Sequence, residues 1–141
     1  MYTKAAAIIQ YGELKAVRLG IKNYGQTPGY DYRMRVHISV QPRHEDYWRP
    51  PEDEYTDGGA GGGTMPPGAS ANSYLFITTP ITPEQEESID KATHALWLIG
   101  RLYYRDAFGA AQWSNFRCYS KGEEWRMQIM IPDARGGNES T

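Results

Sequence analysis

Three histidines, one cysteine and a glycine-rich run are the residues of this chain with the most obvious chemical potential. His37, His44, His94 and Cys118 offer the nitrogen and sulfur donors that zinc prefers, but their spacing matches no zinc pattern. Cys118 as a nucleophile would need a neighbouring base and an open, electropositive setting. It falls in phase with Phe116 on one strand face, which reads as a buried, inert thiol. Gly58-Gly59-Ala60-Gly61-Gly62-Gly63 lacks the Gly-Lys-Ser/Thr ending of a phosphate loop and reads as a flexible segment. Glu45, Asp46, Glu52, Asp53 and Glu54 lack the alternating oxygen ligands and fixed glycine of a calcium loop. No serine sits in a nucleophile-elbow context. The expectation is a non-enzyme with no catalytic residue, no metal site and no cofactor.

A second set of residues points to recognition. Arg33, Arg35 and His37 alternate along one run, Arg101, Tyr103 and Arg105 along another, and Trp113, Arg117 and Tyr119 along a third. If the three runs are neighbouring strands, these nine side chains share one outward face. Arg, Tyr and Trp are the types enriched at binding hot spots. The competing reading is a solvated face held by cross-strand cation–π contacts. Tyr47-Trp48-Arg49 could close over this face or sit at a membrane surface, where Trp and Tyr are favoured.

The elements that must position these residues are strands. Tyr30 to Gln41 alternates for its whole length, with Tyr30, Tyr32, Met34, Val36, Ile38 and Val40 on the inner side. Two earlier strands are expected at 4–11 and 13–22. The turn Asn23-Tyr24-Gly25-Gln26-Thr27-Pro28 leads into the third, with Asn23 and Gly25 suited to positive φ and Pro28 ending a ladder. Further strands are expected at 72–79, 95–106, 112–120 and 125–131. In the 95–106 strand Leu96, Leu98, Leu102 and Tyr104 are in phase. Asp106 and Gly109 form the hairpin turn, with Phe108 folding back over the core end. Thr82-Pro83-Glu84-Gln85 is a capping box that starts one short helix near 83–92.

The whole reads as all-β, an immunoglobulin-like antiparallel β-sandwich of about seven strands. A single domain is expected over 1–132, with a long flexible loop at 42–68 and a disordered tail at 133–141. One cysteine excludes an internal disulfide framework, and a net charge of −2 together with the acidic loop disfavours nucleic acid. No run of about 18 apolar residues is present to span a bilayer as a helix.

Two segments resemble a group of uncharacterised bacterial membrane proteins. Residues 21–31 are similar to their "K-N-x-G-x-T-P-A" turn. Gly100 to Gly109 with Trp113 to Arg117 is similar to their "G-x-x-x-Y-x-D-x-F-G…W-T-x-F" hairpin. The chain departs at Gly29, where the group carries Ala, and at Ser114, where it carries Thr. The resemblance implies that this chain is the extramembrane part of a protein whose amino-terminal helices hold it in the membrane. The start Met1-Tyr2-Thr3-Lys4 has no long apolar signal-peptide core, and Met1 itself reads as an added start. A lone cysteine leans towards the cytoplasmic side. The expected function is capture of a protein partner or of a second copy through the Arg/Tyr/Trp face. A structural or oligomerisation module of a larger assembly is the alternative, and an enzyme of unknown class is the remote one.

Overall fold

Alternating apolar and polar side chains give each strand one inner and one outer face, and the chain uses this pattern almost throughout. The computed structural model describes residues 1–42, 50–58, 63–134 and 136–141. Among them are nine strands: β1 (Tyr2–Tyr11), β2 (Leu14–Lys22), β3 (Gly29–Pro42), β4 (Thr56–Asp57), β5 (Gly63–Met65), β6 (Ser70–Phe76), β7 (His94–Arg105), β8 (Ala111–Ser120) and β9 (Ile129–Pro132). Two helices, α1 (Pro83–Asp90) and α2 (Gly122–Arg126), and a 3-10 turn at Glu52–Glu54 complete the described elements. The fold is all-β, as expected, and every named strand pair is antiparallel.

The strands follow one path, β4-β3-β7-β8-β9-β1-β2-β6, with β5 also paired to β3. Short β9 joins the two halves of the sheet, meeting β8 at Cys118 and Tyr119 and β1 at Ala6 and Ala7. Both halves enclose one core. Val17, Leu19, Ile21 and Leu75 come from one half, and Met34, Val36, Leu96, Leu98, Leu102 and Phe116 from the other. This is sandwich-like packing, but through a continuous sheet rather than two separate ones.

Several local expectations are met in detail. Thr82 Oγ1 accepts from the Gln85 backbone N–H at 3.1 Å, and Gln85 Oε1 accepts from the Thr82 N–H at 3.0 Å, so the capping box of α1 is complete. Buried Ile89 ties α1 to the core. The hairpin turn is held by Asp106 Oδ1, which accepts from the Phe108 and Ala110 N–H groups at 2.9 Å each, while Gly109 takes φ +78°.

Other expectations are corrected. The Asn23 turn does not use positive φ at Asn23 or Gly25. Asn23 is instead buried and acts through its side chain. It donates to the Thr27 and Met65 carbonyls at 2.9 Å each and accepts from the Gly25 N–H at 2.9 Å, pinning the turn to the end of β5. The alternation of β3 is broken near its start by a register shift between Tyr30 and Arg33, with Asp31 at φ +51°. Tyr30 is consequently exposed, and the clean phase begins at Arg33. Trp125 and Met127 are not in a final strand. Trp125 lies buried in α2, Met127 is exposed, and only Ile129–Pro132 pairs. Phe108 does not fold over the core; it is 92% exposed at the hairpin tip. The long loop carries β4, β5 and the 3-10 turn within its described parts.

The tail expected to be disordered packs along β8. The Asp133 N–H donates to the Arg117 carbonyl at 2.9 Å, the Asn115 N–H to the Glu139 carbonyl at 2.7 Å, and the Thr141 N–H to the Trp113 carbonyl at 2.9 Å. The backbone donors and acceptors of a free sheet edge supply the reason, since they bind any chain laid beside them. His44, Glu45, Asp46 and Tyr47-Trp48-Arg49 lie outside the described residues, as do Gly59 to Gly62.

Candidate functional site on the outer face of three strands

The three runs of candidate residues are adjacent strands. β7 lies between β3 and β8, and the register places Arg33 beside Tyr103 and Tyr103 beside Trp113. Arg35 faces Arg101, which faces Asn115; His37 faces Ile99, which faces Arg117. Trp97 stands between Ser39 and Tyr119. The nine candidates therefore share one side of the sheet, opposite the core residues Met34, Val36, Leu98, Leu102 and Phe116.

Their environments differ. Arg33 and Arg35 are exposed, and Arg101, Tyr103 and Trp113 are partly so. The Arg101 guanidinium lies 4.4 Å from the Trp113 ring centre, and its Nε donates to Asn115 Oδ1 at 2.6 Å. Arg33 lies 5.5 Å from the Tyr103 ring centre. Stacking leaves the guanidinium edge free to donate, so these contacts orient the cations without using up their hydrogen-bonding capacity.

Four candidates are committed elsewhere. Arg105 is ion-paired with Asp31 at the bulge of β3. His37 is nearly covered by the 50–58 segment, with Nδ1 3.2 Å from the Glu54 carbonyl and Nε2 2.7 Å from Ser39 Oγ. Tyr119 packs on Trp97 at 5.2 Å between ring centres. Arg117 is the clearest correction: it has no exposed surface. Its Nε donates to Asp133 Oδ2 at 2.8 Å, and its guanidinium lies 4.6 Å from the Trp97 ring centre. The tail buries it.

Sequence reasoning missed that this face has a small apolar core of its own. Ala95, Trp97 and Ile99 are buried on it, with Tyr55 and Tyr119 packed against them. Their alternation with Leu96 and Leu98 was readable, because a strand apolar on both faces is covered on both. Asn115 was readable by its phase with Trp113 and Arg117. The covering segments were not readable, since neither the 50–58 segment nor the tail carries a periodic pattern.

A cleft of about 80 Å³ remains between these covers. Arg35, Arg101, Tyr103 and Asn115 form its base, with Glu52, Tyr55 and Gly137 at its rim. Arg33, Arg35, Asp57 and Tyr103 border an adjoining open hollow. A larger cavity of about 730 Å³ lies at the seam between β3 and β6, walled by Ile38, Val40, Leu75, Ile77 and Ile81. Of the nine candidates it includes only His37, and its lining mixes these aliphatic side chains with polar ones such as Glu54, Asp57, Thr78 and Gln85.

The described site offers cationic and aromatic groups to whatever meets it. Among the described residues no three His, Cys, Asp or Glu side chains converge to hold a metal ion. Burial pushes the Cys118 thiol up to about 12, which keeps it protonated. No described helix is long and apolar enough to cross a membrane. Compared with protein-family models, curated proteins and solved structures, the chain matches none.

Proposed function

We propose that this chain is a non-enzymatic protein-interaction domain, the extramembrane part of a bacterial membrane-anchored protein. The observation that carries the interaction reading is the group Arg33, Arg35 and Arg101. These three cations share one sheet face with Tyr103 and Trp113, and none of them makes an ion pair among the described residues. By contrast Arg105, Arg117 and Arg126 each have a carboxylate partner. Arginines without a carboxylate partner beside partly exposed aromatic rings are the residue types enriched at hot spots.

The test compares immobilised wild-type domain with the double variant Arg35→Glu/Arg101→Glu. Proteins retained from bacterial membrane and cytosolic fractions are identified by mass spectrometry, and circular dichroism confirms that both proteins are folded. The expected result is loss of specific capture in the variant. Retention of the same proteins by the folded variant would remove the reading.

The membrane context is supported by the turn and hairpin motifs alone. Reading the gene upstream of the first codon for an apolar segment of about 20 residues checks it.

A further inference from the structure

Like charges placed directly opposite on neighbouring strands destabilise a sheet. Arg35 and Arg101 are such a pair, opposed across β3 and β7, with Arg33 on the same face of β3. Among the described residues Arg35 donates two long hydrogen bonds from Nη2, to the Glu52 carbonyl at 3.3 Å and the Tyr55 carbonyl at 3.5 Å. Neither is a charged acceptor. Glu52 borders the cleft, and Asp57, which stands opposite Arg35 across β3 and β4, borders the adjoining hollow.

The cleft between the opposed arginines holds about 80 Å³, room for one small oxyanionic group and no drug-sized ligand. Its wall is pre-built. Asn115 and Trp113 fix the Arg101 fork, and Tyr103 lies beside both Arg33 and Arg101. A fork held in place suits bidentate recognition of a planar carboxylate.

We propose that this cleft is a carboxylate-binding site, and that its ligand is an Asp/Glu-rich segment of a protein. One side-chain carboxylate sits between Arg35 and Arg101, and a neighbouring acidic residue meets Arg33. The site rests on the interaction reading above and specifies its partner by chemistry.

The experiment titrates the intact chain with an oligo-glutamate peptide. Arginine Nε–Hε and Trp113 indole resonances are followed by NMR at low and moderate salt. Expected are saturable shifts at Arg35, Arg101 and Trp113, weakened about tenfold by Arg35→Gln and likewise by Arg101→Gln, as loss of one charge-assisted bond predicts. Arg35→Gln should leave the melting temperature unchanged or raise it, because it relieves the Arg35–Arg101 repulsion. A fall in melting temperature with no peptide-induced shift in the wild type would make the arginines a structural ladder and overturn the proposal. Shifts caused by inorganic phosphate or anionic vesicles but not by oligo-glutamate would overturn it in favour of a phosphate ligand. The two readings fail separately. Absence of peptide binding with capture still lost in Arg35→Glu/Arg101→Glu removes this site and leaves the interaction face. Peptide binding with capture intact in that variant does the reverse.

Discussion

Arg117 and Asp133 form an ion pair that is closed off from water, Nε to Oδ2 at 2.8 Å, with side-chain exposures of 0% and 3%. Asn138 completes the enclosure. Its Oδ1 accepts from the Arg117 N–H at 2.9 Å, and its Nδ2 donates to the Arg117 and Asp133 carbonyls at 3.2 Å each. A buried pair contributes little beyond its desolvation cost while both partners are present, but removing one leaves an uncompensated charge. Asp133→Ala should therefore destabilise by about 3–5 kcal/mol. Arg117→Met/Asp133→Leu should recover most of that loss, because it removes both charges and keeps the volume. Urea unfolding of the single and double variants measures the difference. Equal losses in both would show that packing of the tail, rather than charge, sets the stability.

Gly100 is required by contact with the core rather than by its backbone angle. A Cβ built there would lie 2.5 Å from the Arg35 carbonyl oxygen and 2.7 Å from Phe116 Cε2. The ring could shift, but the carbonyl belongs to the neighbouring strand and cannot. Gly100→Ala is expected to destabilise by about 3 kcal/mol, the upper part of the overpacking range. Adding Phe116→Leu should recover only part of this, since the clash with β3 persists. Full recovery in the double variant would assign the whole cost to the ring.

The residues that place the strands were legible because their physics is local. The alternation of Met34, Val36, Ile38 and Val40 set the phase of β3. That phase, with the one in β7, brought Arg33, Arg35, Arg101 and Tyr103 to one face. The α1 start was legible for the same reason, as a capping box needs only four residues. What was not legible depends on long-range contact. Arg117 looks like Arg101 in the alternation, and only the return of Asp133 and Asn138 along β8 separates them. The bulge at Asp31 was hidden, since an Asp at positive φ has no pattern of its own and is held here by its pair with Arg105. Trp125 followed the strand period by coincidence. Its segment turns helical, where it buries the ring near α1, and Arg126 Nε donates to Asp90 Oδ1 at 2.7 Å.

Helix α1 ends with a non-glycine residue in the position that favours glycine. Ala92 has φ +62°, its N–H donates to the Ile89 carbonyl at 3.0 Å, and the Thr93 N–H donates to the Ser88 carbonyl at 3.0 Å. This is the paired hydrogen-bond closure in which the left-handed residue is usually Gly. An L-residue with a Cβ is strained there by about 1–2 kcal/mol. Ala92→Gly should stabilise the domain by about 0.5–1 kcal/mol, after the extra chain entropy of glycine is subtracted. A rise of about 2–4 °C in Tm, read by calorimetry, is the expected result for a domain near this size. An unchanged or lower Tm would show that the Ala92 methyl makes contacts that offset its strain.

Cys118 should behave as an inert core residue. It is 7% exposed, and burial pushes its thiol up to about 12. The nucleophilic form is the thiolate, so at pH 7–9 the native protein should resist iodoacetamide for as long as it stays folded. In denaturant the same reagent should label it at the rate of a free cysteine. Mass spectrometry after timed quenching distinguishes the two states. Fast labelling of the native protein would mean that the β8–β9 region opens locally.

Asp106 sets the acid sensitivity of the β7–β8 hairpin. Hydrogen bonds from the Gln112 side chain at 3.0 Å and from the Ala110 and Phe108 N–H groups at 2.9 Å hold its carboxyl below the ordinary value of 3.8. Gln112 is the largest cause, followed by Ala110. A lowered folded-state pKa means that the native turn favours the ionised form. Its contribution is complete above the unfolded carboxylate value and is lost as pH falls through the folded one. The amide resonances of Phe108 and Ala110 should therefore titrate with a midpoint below 3.8. Gln112→Ala should move that midpoint upwards by removing the first cause. Asp106→Ala should abolish the transition and speed hydrogen exchange at both amides at neutral pH. Because Phe108 is 92% exposed at the tip, faster exchange there should leave the unfolding midpoint of the core nearly unchanged. A midpoint that ignores Gln112→Ala would mean that the backbone donors alone lower the pKa.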